Sequence, residues 1–374
     1  MQDGTAGAAS FSRELHGARG LFAFLVFVFH VQNSGLTPLF GSERFSSLLA
    51  PLVFGVELFF ALSGFVIVGT LARASRPWFF LIDRLTRIYP VLWVGVLTVV
   101  ALSLLSGREA PATYQGWTLA LYTLANMAGL PNLIPVPLFL APAWTLSYEL
   151  CFYILGSIYL VARRRWAMNL FPLLLVLSLP IINTHPRTLF FLSGILVATG
   201  YGRFLRIPGI EKMPALALLV FLWSWSSAWT YYIEALQPPS YTLVGWMTDP
   251  HILYVVIAFA SATLFLDALV RGAGWESTFL RSRLALYFGT ISYSFYLWHP
   301  VVMALVKAGL KGTGLLAIAG SLSQLLLFVA ALPPSIVVAH ASQRWLERDL
   351  THFIRSKLRR EAQVSARPVQ AEAT

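Results

Sequence analysis

The sequence predicts an all-α polytopic membrane protein: a bundle of about ten transmembrane helices with a re-entrant or interfacial segment on the outer side. Three observations carry this reading. The 374 residues are 57% hydrophobic and only 11% charged, where a soluble domain carries roughly 25% charge. Mean hydropathy is +0.70. The apolar residues also gather into runs near the roughly 20 residues needed to cross a hydrocarbon layer about 30 Å thick.

Taken in order, the expected spans lie at about 17–33, 48–70, 88–106, 144–162, 167–183, 188–202, 214–233, 251–270, 284–305 and 314–339. The fifth and sixth are short and fit as tilted partners. The positive-inside rule orients the set. Arg44, Arg108, Arg187, Lys307 and Lys311 fall on one side, and the rest of the 27 Lys and Arg fall on the other. Both termini are therefore expected in the cytoplasm. The same rule decides residues 117–130, which look like a short span. If they crossed, Arg163–Arg165 would lie outside and every later loop would invert. Residues 107–143 are therefore placed on the outer side, where Pro131, Pro135, Pro137 and Pro142 suggest a re-entrant or interfacial segment.

The net charge of +11 is explained mostly by this topology, so no nucleic-acid partner is implied. Cys151 is the one cysteine, which excludes an internal disulfide and a thiolate metal cluster. No small-x-small site follows the first apolar run, so it does not read as a cleaved signal. Residues 355–374, rich in charge and small residues, read as a disordered basic cytoplasmic tail.

The chemistry is expected where ionisable groups sit inside spans. Such a group costs roughly 2.5–3.5 kcal/mol at a helix centre, so it faces protein or water and has a role. Arg19 and His30 are eleven residues apart, a net rotation of about 20°, so they share one helix face roughly 16 Å apart. Glu57, in GVELFFALSGF, reaches a depth similar to that of His30. A carboxylate there fixes an imidazole tautomer or forms a structural ion pair. Arg84 and Arg87 are i, i+3 on one face and follow Arg73 and Arg76. Guanidinium forks suit phosphate oxygens, while plain flanking accounts for Arg73 and Arg76. Glu149, in WTLSYELCFY, is a second intramembrane acid. His299, in SYSFYLWHP, lies beside Pro300, which frees a backbone carbonyl. No i, i+4 His pair supports a metal site, and no Gly-x-Ser-x-Gly elbow, phosphate loop or dinucleotide fingerprint occurs.

These motifs together resemble the membrane-bound acyltransferase 3 family. Arg19-x10-His30, GVELFFALSGF, Arg84-Leu-Thr-Arg87, WTLSYELCFY and SYSFYLWHP stand in the order expected of it, and the resemblance runs from about residue 14 to 348. It implies an acyltransferase-like transmembrane domain over residues 1–354. It also implies an O-acyltransferase with no permanently bound cofactor, using acetyl-CoA or another acyl-CoA from the cytoplasm. The acceptor would be a hydroxyl of a cell-surface polysaccharide or a lipid-linked sugar, and the membrane the bacterial inner membrane. A macrolide or other small hydroxylated product is the alternative acceptor. By that resemblance His30 is the essential histidine, Arg19 its motif partner, and Arg84 and Arg87 meet the donor's phosphates. Glu57 stands where many members have aspartate, and Tyr148 where many have another residue. Some members carry a fused extracytoplasmic domain, and no hydrophilic stretch here is long enough for one.

On this reading His30 acts as base or accepts the acyl group, Glu57 or Glu149 orients it, Arg19 holds the donor and His299 lines the acceptor side. Trp117, Trp144, Trp225, Trp229 and Trp246 are candidate sugar platforms or belt aromatics. A transporter or flippase would show internal pseudo-symmetry, and none is evident.

Overall fold

The structure, a computed structural model, describes residues 12–73, 77–209, 212–235 and 252–365. Among them no β-strand occurs, only one bridge between Pro131 and Ile134. Arg76 and Trp246 lie outside the described residues.

Each apolar run of the sequence becomes a helix, because a backbone without water must satisfy its own hydrogen bonds. The first is α1, Arg13–Gln32, capped by Ser12, whose hydroxyl accepts from the Leu15 N–H at 3.3 Å. After the short α2, Glu43–Leu49, come α3, Gly55–Arg73, and α4, Pro77–Ser106. Then follow α5, Glu109–Ala112, α6, Gly116–Met127, α7, Trp144–Trp166, α8, Phe171–Thr184, and α9, Phe190–Ala198. The second half holds α10, Pro214–Ala235, α11, Ile252–Val270, α12, Glu276–Leu280, and α13, Arg283–Gly312. Last come α14, Leu315–Ala319, α15, Ser323–Ser342, a π-helical stretch at Gln343–Leu350, and α16, Thr351–Ser365.

Six helical stretches among the described residues are long and apolar enough to cross a membrane: Arg13–Gln32, Glu43–Arg73, Trp78–Ser106, Ala141–Trp166, Ile252–Val270 and Leu315–Leu358. Phe171–Thr184 and Pro186–Ala198 are shorter apolar helices. The chain is thus a helical integral membrane protein.

The boundaries differ from expectation in four places. The third span was expected from 88, but α4 starts at Pro77 and so carries Arg84 and Arg87 within the helix. The second span was expected from 48, but Pro51 introduces a 3-10 segment, Ala50–Phe54, before α3 begins. The last span is interrupted at Gly314 and Gly320, both at positive φ. Of residues 355–374, expected to be disordered, 355–365 continue α16 to Ser365, and the rest lie outside the described residues.

Residues 107–143 pack on α4 through α6. Asn126 ties it together: its amide donates to Tyr122 O at 2.9 Å and Pro137 O at 2.8 Å, and its carbonyl accepts from the Phe139 N–H at 2.8 Å.

Glycines set the closest helix pairs, as small residues do where lipid offers no hydrophobic drive. On α1, a Cβ at Gly20 would stand 2.7 Å from the Gly289 amide nitrogen of α13, and one at Gly17 would stand 2.0 Å from Leu280 O. Between α3 and α9, a Cβ at Gly64 would lie 2.1 Å from Phe191 O. These contacts bring α1 onto α13 and α3 onto α9, the pairs that frame the interior.

Candidate active site

A cavity of about 320 Å³ opens between α3, α4, α7 and α13. Three arginines enter it: Arg19 from α1, and Arg84 and Arg87 from α4. Glu149, Tyr153 and Thr145 of α7, Ser63 of α3 and Ser292, Tyr293 and Tyr296 of α13 complete its polar lining. Arg84 donates to Thr70 Oγ1 at 2.6 Å, and its guanidinium lies 5.8 Å from the ring centres of both Phe80 and Tyr153. Tyr153 donates to Glu149, and Ser63 donates to the same carboxylate oxygen at 3.4 Å. Arg19 and Arg87 form no hydrogen bond or ion pair among the described residues. Three guanidinium groups therefore share the cavity with one carboxylate, which is itself engaged by two hydroxyls. Charge held away from water is costly unless paired, and this lining carries more cationic than anionic groups.

The two histidines meet beside it. His30 of α1 and His299 of α13 have ring centres 4.9 Å apart, and His30 Nδ1 lies 3.3 Å from His299 Nε2. His30 Nδ1 is 2.8 Å from Val26 O, and His299 Nδ1 is 3.0 Å from Phe295 O. A carbonyl only accepts, so the hydrogen-bond network assigns the proton of each ring to Nδ1. The His30 Nδ1–H then divides between Val26 O and the His299 Nε2 lone pair. What remains is the Nε2 lone pair of His30, the feature a base or nucleophile needs. His299 is fully buried, between Phe27, Phe295 and Tyr296. Tyr296 also lines the cavity and lies 6.2 Å from His299, ring centre to ring centre.

Among the described residues no carboxylate bonds His30, whose ring meets Val26 O and His299. Glu57, fully buried, instead accepts two bonds from Arg187, at 2.5 Å and 3.0 Å, and one from Trp225 Nε1 at 2.9 Å. Arg187 stacks 4.4 Å over Trp144 and 5.3 Å from Trp229. Glu149 is held by Tyr153 and Ser63. The four residues expected to form one cluster thus separate into a histidine pair, a closed ion pair and a cavity acid. The imidazole is oriented by a helix carbonyl and a second imidazole. Trp225 is buried and bonded to Glu57, which leaves it no face for a sugar. Trp117 is exposed on α6. Tyr148 is bonded to His185 at 2.8 Å.

Arg187 escaped the sequence reading as a loop flank. Its signal was there: an arginine on the sparsely basic side, next to a short apolar span, needs an acid. Tyr153 was likewise hidden among the other aromatics of α7.

Fold and site together define a class: an integral membrane enzyme whose polar chemistry lies inside a helical bundle. The chain belongs to the acyltransferase family described as "Acyltransferase domain", whose sequence profile matches residues 12–340. It is also 29% identical over 272 residues to the exopolysaccharide production protein ExoZ of Rhizobium meliloti (strain 1021), covering 68% of this chain and 78% of that protein. No solved structure matches the chain. This is a membrane acyltransferase.

Proposed function

We propose that the chain transfers an acyl group, acetyl foremost, from cytoplasmic acyl-CoA to a hydroxyl of a cell-surface polysaccharide or its lipid-linked precursor. The observation that carries the reading is the cavity in which Arg19, Arg84 and Arg87 outnumber Glu149. A donor bearing phosphates supplies the missing negative charge, and guanidinium forks hold phosphate bidentately. The name of the Rhizobium relative supports a polysaccharide acceptor.

The reaction follows from the groups in place. The donor's phosphates stop at Arg84 and Arg87, and its thioester passes the Tyr296 side of the cavity towards His30. The acceptor hydroxyl gives its proton to His30 Nε2 as its oxygen attacks the thioester carbonyl. The carbon–oxygen bond forms, the carbon–sulfur bond breaks, and the proton passes to the departing thiolate. His299 holds the His30 ring in the tautomer that accepts. A base matters here because an alcohol attacks poorly until its proton is removed.

This assignment places both termini in the cytoplasm of a bacterium and the acceptor on the opposite face of the inner membrane. The experiment is mass spectrometry of surface glycans from a strain lacking the gene. Loss of one acyl substituent, restored by the wild-type gene and not by His30→Ala, is the expected result. An unchanged acylation pattern removes the polysaccharide acceptor and leaves a small hydroxylated product.

A further inference from the structure

We propose that the C-terminal segment, from Glu347 to Arg355, is part of the donor site: it holds the turn of α4 that presents Arg84 and Arg87. The inference rests on the donor reading above and adds positioning residues to it.

The argument begins with periodicity. On α4, Arg84 and Arg87 are one i, i+3 pair, and Asp83 and Thr86 are another, offset by one residue. Successive residues turn by about 100°, so the two pairs occupy neighbouring faces of the same helical turn. The first pair enters the cavity. The second meets the C-terminal segment. Thr351, buried, donates to Thr86 O at 2.7 Å. Arg355 Nε donates to Thr86 Oγ1 at 3.0 Å, and Thr86 Oγ1 donates onward to Ile82 O at 2.6 Å. Arg355 also bonds Asp83 O and lies 3.3 Å from the Asp83 carboxylate. One residue, Thr86, is thus held through its carbonyl and its hydroxyl, and it sits between the two cavity arginines in sequence.

The segment reaches the opposite wall as well. Glu347, in the π-helical stretch, accepts from the Ser294 N–H at 3.1 Å and from Ser294 Oγ at 2.6 Å. Ser294 lies between the cavity residues Tyr293 and Tyr296 on α13. Glu347 also lies within electrostatic reach of Arg19. A single stretch therefore braces α4 and α13 across the mouth through which the donor's phosphates would enter. On this part of α4, Phe80 packs on Tyr153, while the polar face at Asp83 and Thr86 is held by the C-terminal segment. Guanidinium forks hold phosphate only in a defined geometry, so loss of the brace should show in donor affinity.

The test titrates acetyl-CoA by calorimetry into the purified full-length chain. Arg355→Ala is expected to weaken binding about tenfold, with the KM for acetyl-CoA rising and kcat staying within about twofold. Arg355→Lys, which keeps the charge near Asp83, should recover part of the loss. Thr351→Val exchanges a hydroxyl for a methyl and should weaken binding about threefold; it decides the matter if Arg355→Ala does not fold. Wild-type affinity in both Thr351→Val and a folded Arg355→Ala overturns the brace and leaves the donor reading standing. A wild-type chain that does not bind acetyl-CoA overturns the donor reading and the brace together.

Discussion

His30 and His299 face each other across α1 and α13 at 3.3 Å, each with its Nδ1 directed at the carbonyl four residues earlier in its own helix. A general base contributes about 10²–10⁴-fold, so His30→Ala should lower turnover by at least that much while acetyl-CoA affinity stays at the wild-type level. Direct transfer predicts no labelled protein when radiolabelled acetyl-CoA is given without acceptor. A stable label on wild type that His30→Ala abolishes would establish acyl-histidine chemistry in its place. Near wild-type turnover by His30→Ala would move the centre to Glu149 and the cavity.

Arg84 and Arg87 carry the second prediction. Loss of one charge-assisted hydrogen bond costs roughly 1.5–3 kcal/mol, or about 10- to 150-fold in affinity. Arg87→Ala should weaken acetyl-CoA binding in that range, and the Arg84/Arg87 double variant should weaken it further. Arg73 does not line the cavity, and Arg73→Ala should bind within about twofold of wild type. Calorimetry checks all three, and equal affinity in the double variant and wild type sinks the assignment.

Glu57 and Arg187 should behave as a structural pair. Removing one partner of a buried pair costs about 3–5 kcal/mol because the other charge is left uncompensated. Glu57→Gln and Arg187→Ala should each lower the unfolding midpoint in detergent sharply, and a double replacement by Gln and Met should recover part of the loss. A Glu57→Gln variant as stable as wild type yet without turnover would return Glu57 to the chemistry.

Residues 107–143, expected on the outer side, offer a test of topology. In a Cys151→Ser background, Ala112→Cys and Asn132→Cys should both react with an impermeant maleimide added from outside. Labelling from opposite sides would mean that α6 crosses, and the order of every later span would invert.

Much of this molecule is legible in its sequence, for identifiable reasons. Apolar runs declare helices because hydrocarbon admits few alternatives, so the expected spans fall on helical segments among the described residues, the last of them interrupted. Arg19, the Arg84–Arg87 pair and Glu149 were legible as ionisable groups in or beside spans, and the structure brings them to one cavity. Pairing was not legible. Glu57 and His30 have similar depths on adjoining helices, yet Glu57 faces Arg187, 130 residues away in sequence. Depth comes from counting along a helix, whereas azimuth depends on how helices are rotated about their contacts. The start of α4 was misjudged because Asp83, Arg84 and Arg87 interrupt the apolar run; the helix continues through them, where Thr351 and Arg355 meet it.

The glycine contacts between α1 and α13 give those helices a mechanical character. Gly20 touches Gly289 backbone to backbone, and His30 stands ten residues beyond, about 15 Å along the axis at 1.5 Å per residue. The contact is a fulcrum and the rest of α1 is its arm. A tilt of about 5° at the fulcrum swings His30 by roughly 1.3 Å over that length, enough to part the imidazoles. A methyl group at Gly20 would work the lever.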